Sequence, residues 1–219
     1  MAAIAGSESG RERGPWPRSA RKIPIMIFDE FLVAEEMRGL LAYTLQSASR
    51  FVQSEVRRYD GGHERDPEHR RSRVLYHLGP YRSLFERRLL TFLPHLFQAL
   101  GVHPFPVSNV EIQLTATNHG EFFRTHADIG EGDLQARELT FVYFFHREPR
   151  RFAGGELRIF ETVQKEGIAV ETGYYQFIYP LQNQIVFFQS SNLHEILPVT
   201  CPSAEFGDSR FTVNGWYRR

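Results

Sequence analysis

The chain has 219 residues, 42% hydrophobic and 14% aromatic, with 26 basic and 26 acidic side chains and a formal net charge of +0. That length suits one domain with a sizeable core, since single cores extend to roughly 250 residues, and the balanced charge gives no general pull toward nucleic acid or anionic membrane. One cysteine, Cys201, excludes an internal disulfide and a cysteine metal cluster. No signal peptide, transit peptide or long apolar run is visible, so a cytoplasmic location is expected.

Residues 1–22 mix Gly, Ser, Pro, Arg and Glu without apolar periodicity and read as a flexible tail. A single domain is expected over 23–219, with helical support over 23–104 and a β core over 105–219. It opens on the apolar run Ile23 to Phe28. Val33, Met37, Leu40, Leu41, Thr44 and Leu45 then recur at helical spacing. From Arg57 to Arg73 the chain is highly charged and irregular, and reads as a solvated loop able to face a substrate. Val74 to Leu78 predicts a strand. Tyr81 to Leu100 predicts a second helix, with an apolar stripe that includes Leu89 and Leu90, divided or kinked at Pro94 and ended by Gly101.

The remainder alternates short strand-like runs with turn signals. Runs fall at 110–115, 138–145, 157–160, 176–179, 184–189, 193–197 and 210–217, and Gly154-Gly155, Gly173 and Asn183 are among the residues between them. Richness in Phe and Tyr supports sheet, and this spacing predicts an antiparallel sandwich or barrel. The fold class expected is mainly β with supporting helices, α+β, on a double-stranded β-helix (jelly roll).

His126 and Asp128 stand two apart at the end of the run Phe122-Phe123-Arg124-Thr125. On a strand, positions i and i+2 face the same way, so an imidazole and a carboxylate converge. His194, 68 residues later behind an apolar strand, is the candidate third ligand of a two-histidine, one-carboxylate site that leaves positions open on ferrous iron. Arg210 begins the last strand and Thr212 shares its face. Gly154-Gly155 reads as a tight turn allowing close backbone approach. His63, His69, His95 and His103 read as surface or packing residues, Trp216 as a packed side chain and Asn214 as a polar wall residue.

That ordered set resembles the prolyl-4-hydroxylase-like branch of the Fe(II)- and 2-oxoglutarate-dependent dioxygenases over about residues 105–218, with a weaker match at Phe28 to Phe31 and Arg70-Arg71-Ser72. The resemblance implies a jelly roll, His126, Asp128 and His194 as iron ligands, and Arg210 as partner of the far carboxylate of 2-oxoglutarate. It also implies dioxygen as co-reagent, ascorbate as a stimulating reductant, and hydroxylation of an amino-acid-like or peptidyl substrate, prolyl among the choices. Asp128 argues for a hydroxyl product, because related halogenases lack that carboxylate. The tyrosine usual on the strand before His126 is missing, and Gln113, Thr115, Thr117 and Tyr143 are the candidates for its contact. The long interval from His194 to Arg210 predicts a protruding loop. A non-catalytic jelly-roll binding module and another cupin-like metal enzyme are the alternative readings. The oligomeric state is not legible.

Overall fold

A computed structural model describes residues 23–57, 62–130 and 132–219; the tail expected over 1–22 lies outside the described residues. The chain enters through β1 (Ile25–Phe28) and α1 (Ala34–Gln46). Short strands follow as β2 (Val52–Gln53), β3 (Val56–Arg57), β4 (His63–Glu64), β5 (Arg70–Arg71) and β6 (Arg73–Leu75), before α2 (Tyr81–Leu100). Then come β7 (Asn109–Thr117), β8 (Phe122–His126), β9 (Arg137–Phe145), β10 (Ala153–Gly154) and β11 (Leu157–Lys165). The last elements are β12 (Ile168–Ile178), β13 (Gln184–Gln189), β14 (His194–Ile196), β15 (Val199–Thr200) and β16 (Arg210–Arg218).

The longer strands form two antiparallel sheets, a seven-stranded one in the order β1-β13-β9-β16-β7-β6-β2 and a five-stranded one in the order β12-β11-β14-β8-β5. This is the mainly β, helix-supported jelly roll that the strand spacing predicts. Each long strand of the larger sheet separates its side chains by parity, as the pleat requires. Leu114 and Ala116 of β7, Leu139, Phe141, Tyr143 and Phe145 of β9, and Phe211, Val213 and Tyr217 of β16 join Leu40, Phe85 and Leu89 of the helices in one core. The opposite faces of β7, β9 and β16 line a cavity between the sheets. One face of the sheet therefore stabilises and the other is free to carry chemistry.

The helices are fixed by local signals. The Val33 N–H donates to Glu36 Oε2 at 3.0 Å, satisfying a first-turn donor of α1, and Glu36 also pairs with Arg88 of α2 at 2.7 Å. Gly101 closes α2 in the left-handed conformation (φ +66°). The helix continues through Pro94 rather than dividing there. Phe85 and Leu89 before it and Leu96 and Leu100 after it are all buried, while Pro94 itself faces solvent. Leu90, expected in the buried stripe, is exposed.

Two further expectations are corrected. Gly173 lies inside β12 with positive φ instead of making a turn; the β11–β12 connection is Glu166-Gly167. Outer parts of both strands are exposed on both faces, so no apolar alternation announces them. The 200–208 interval folds back rather than protruding. Phe206 packs on Phe51 and Phe211, the Asn118 amide donates to Glu205 O and Ser209 Oγ, and Cys201 is buried.

Candidate metal centre

Strand β8 ends at His126, and His194 begins β14 directly opposite it in the antiparallel register. A register irregularity between His194 and Ile196 places Phe123 with His126 on one face, their rings stacked at 3.6 Å. Asp128 is past the end of the strand. Its N–H donates to Ser190 O at 3.0 Å, so a turn held by the β13–β14 connection brings its carboxylate to the imidazoles. Convergence is as the spacing predicts, but the turn achieves it, not strand alternation.

His126 Nε2 lies 3.7 Å and His194 Nε2 3.3 Å from the Asp128 carboxylate. One ligand atom from each of the three residues falls within 4.8 Å of the others. His126 Nδ1 is 2.8 Å from Arg124 O and His194 Nδ1 is 2.9 Å from Asn192 O. A carbonyl can only accept, so each Nδ1 carries the proton and each Nε2 presents a lone pair to the centre. Burial and neighbouring His194 pull His126 down to about 3, keeping it a neutral ligand. Burial pushes Asp128 up, but His194, His126 and the Thr140 hydroxyl outweigh it and hold the carboxyl below its ordinary value. Thr140 donates to Asp128 Oδ2 at 2.7 Å. The Trp216 indole N–H lowers Asp128 further by facing it, though it stops short of hydrogen-bond geometry. Two neutral imidazoles and one carboxylate on one side are a donor set that fits ferrous iron with positions left open.

The same cavity, about 450 Å³, receives Arg210. Arg210 pairs with Thr117 at the start of β16 and is 2% exposed, its guanidinium 5.0 Å over the Phe144 ring. Its Nε and Nη2 have no partner among the described residues. Burial pulls it down to about 9, opposed by Glu156. A desolvated cation with free donors is costly until a carboxylate meets it, and it then offers charge-assisted bonds. Gly155 permits the fit: a Cβ there, at φ +71°, would lie 2.6 Å from Arg210 Cδ. The tight turn expected at Gly154-Gly155 thus serves the arginine.

Gln113, Thr115, Thr117 and Thr212 also line the cavity. Thr115 and Thr212 donate to Asn214 Oδ1 at 2.8 and 3.4 Å. Tyr143 does not belong with them. It points to the helix-side core, where its hydroxyl donates to Asn183 Oδ1 at 2.9 Å. Apart from Thr140, the run Leu139 to Phe145 is apolar on both faces, so its parity is largely hidden in sequence. Thr140 and Ser190 are functional residues that sequence reasoning missed, and Trp216 lines the cavity instead of merely packing. Thr140 had one signal, as the polar break in an otherwise apolar stretch.

A jelly roll with an iron-type donor triad and an unpaired arginine in one cavity defines a class, the mononuclear iron oxygenases that take an oxo acid. Residues 112–218 match the 2OG-Fe(II) oxygenase superfamily. An uncharacterized PKHD-type hydroxylase of Synechocystis is 36% identical over 191 residues, 86% of this chain and 61% of that protein. A prolyl-4-hydroxylase of Pseudomonas putida has a similar fold (TM-score 0.60, 22% identity, 90% of this chain and 93% of that one). So does a Trichoplax adhaerens prolyl hydroxylase solved with a hypoxia inducible factor peptide (TM-score 0.63, 16% identity, 89% and 83%). Fe(II), 2-oxoglutarate and dioxygen are the reagents of this superfamily.

Proposed function

We propose that the protein is an Fe(II)- and 2-oxoglutarate-dependent hydroxylase acting on an unactivated C–H of an amino-acid-like or peptidyl substrate, with residues 23–219 as one catalytic domain. The observation that carries this reading is the pairing, in one cavity, of the His126, Asp128 and His194 donors with an Arg210 guanidinium whose Nε and Nη2 find no partner among the described residues. Iron held there with 2-oxoglutarate and dioxygen would supply the oxidising chemistry: as the oxo acid loses CO2, one atom of dioxygen ends in succinate and the other in the substrate hydroxyl.

The chain's own residues hold and orient. His126, Asp128 and His194 bind the metal through Nε2, a carboxylate oxygen and Nε2. Thr140 and the Ser190 backbone fix Asp128, and Phe123 fixes the plane of His126 by stacking. Arg210 takes the far carboxylate of 2-oxoglutarate through paired N–H donors. Thr212 and Gln113 form the polar wall beside it. Val142, Leu157 and Ile196 keep water from the inner wall. The peptidyl side of the reading is supported by the peptide-bound Trichoplax relative. No helix among the described residues is long and apolar enough to cross a membrane.

The test is succinate formation on adding ferrous iron, ascorbate and 2-oxoglutarate. Wild type forms succinate and Asp128→Ala forms none; equal rates in the two proteins would refute the metal assignment. Arg210→Ala is expected to raise the apparent KM for 2-oxoglutarate far more than it lowers kcat, and an unchanged KM moves the carboxylate partner elsewhere.

A further inference from the structure

Among the described residues four arginines line the cavity, and they are not equally committed. Arg137 and Arg218 both reach Glu111, at 2.5 and 2.9 Å. Arg210, on the larger sheet, is the partner proposed for 2-oxoglutarate. Arg70, on β5 at the edge of the smaller sheet, is the fourth. Its Nε donates to Ser72 Oγ at 3.1 Å and its Nη1 reaches Glu55 O at 3.5 Å, both neutral acceptors. Among the described residues no carboxylate pairs with it. Its guanidinium lies 4.6 Å over the Phe123 ring, the same ring that stacks on His126. A guanidinium charge thus stands one aromatic ring away from the metal centre.

Burial pulls Arg70 down to about 10, and the opposing influences are Tyr76 and Asp128. Asp128 is directed at the imidazoles, so among the described residues Arg70 is left without a counter-ion. 2-Oxoglutarate does not supply one either if one of its carboxylates meets Arg210 and the other, with the keto oxygen, meets the metal. A second anion is what the charge pattern of the described residues lacks. Planar guanidinium recognises planar carboxylate through parallel donors, and its hydrophobic faces are already covered by Phe123.

We propose that the substrate of this oxygenase carries a carboxylate and that Arg70 is its specificity-determining anchor, leaving Arg210 to 2-oxoglutarate. The inference rests on the oxygenase reading and narrows it. An acid, either a free amino acid or the C-terminal carboxylate of a chain, enters over Phe123 with its anionic end on Arg70. Its neighbouring carbons then lie on the metal side of that ring. A neutral internal peptide segment would leave Arg70 unpaired.

The experiment uses full-length protein loaded with Zn(II) in place of iron and saturated with N-oxalylglycine, an inert mimic of 2-oxoglutarate. Calorimetric titrations then compare N-acetyl-L-alanine, its uncharged amide and free L-alanine. An acid is expected to bind saturably and the amide about tenfold more weakly or worse, because one charge-assisted contact is lost. Arg70→Gln should abolish that preference while leaving N-oxalylglycine affinity within about threefold of wild type, as a separate carboxylate site requires. Tighter binding of L-alanine than of its acetyl form assigns a free amino acid, and the reverse assigns a chain terminus; either supports the anchor. Equal binding of acid and amide, no saturable acid binding, or an Arg70→Gln protein that keeps the preference overturns it. Failure of N-oxalylglycine itself to bind overturns the oxygenase reading beneath it, and so the two failures are distinguishable.

Discussion

Asp128 lies between the His126 and His194 imidazoles, and burial keeps His126 neutral, so the carboxylate charge is placed to answer to a metal. The Thr140 hydroxyl and the Ser190 backbone aim it. Thr140→Val keeps the volume of the side chain and removes that hydrogen bond. Loss of such an outer partner lowers metal affinity roughly 10- to 100-fold, which titration with Zn(II) would read directly; unchanged affinity would reduce Thr140 to a packing residue. Tyr143 makes the contrary case. Its hydroxyl bonds to Asn183, whose side chain also accepts from the Leu32 N–H and donates to Leu32 O. Tyr143→Phe should cost about 1 kcal/mol of stability, seen in chemical denaturation, and leave the KM for 2-oxoglutarate unaltered. Gln113 was legible as a cavity residue and Tyr143 was misjudged for one reason. Polar Gln113, Thr115 and Thr117 alternate with apolar neighbours and reveal their parity, whereas β9 from Leu139 on is, apart from Thr140, apolar on both faces and largely conceals it.

At the scale of elements, the site depends on where strands begin and stop. Arg210 faces the cavity because β16 pairs with β7 at Thr117, and the segment just before it is pinned by the bonds from Asn118 to Glu205 O and Ser209 Oγ. The turn between β10 and β11 runs so close that only glycine fits beside the arginine. Gly155→Ala would place a methyl in a left-handed conformation and against Arg210 Cδ and Val199. The expected result is weaker 2-oxoglutarate binding, by about tenfold for a displacement costing 1.4 kcal/mol, with Zn(II) affinity retained. Loss of both affinities together would instead signal general unfolding of the turn. The glycine pair was visible in the sequence as a close approach, but the element it approaches was not, because that contact joins residues 55 positions apart. Likewise the outer halves of β11 and β12 were unreadable, being exposed on both faces, while β13 was read to the residue from its unbroken apolar run.

The whole molecule divides labour across a sheet. One face of β7, β9, β13 and β16 is cemented to the helices by aromatic and aliphatic side chains, and the other face tolerates polar groups because the smaller sheet roofs them into a cavity. The general fold followed from strand count and spacing, and the donor triad from residue type and order; the cavity's charge pattern needed coordinates, since Arg70, Arg137 and Arg210 come from separate strands. Because the helix-side core does not include the metal site, the apoprotein should stay folded. Its site then holds one carboxylate between two imidazoles, with no like-charged carboxylates to repel one another. Zn(II) at a hundred times its dissociation constant adds about 2.7 kcal/mol to the folded state, which for a chain of this size corresponds to a melting-temperature rise of roughly 5 to 10 °C. His194→Ala should melt as a cooperative apoprotein and lose that rise, and chelator should return wild type to its apo transition without unfolding it at room temperature. A metal-dependent rise of full size in His194→Ala would place the ion elsewhere, and unfolding by chelator alone would mean that the two faces of the sheet are not energetically separate.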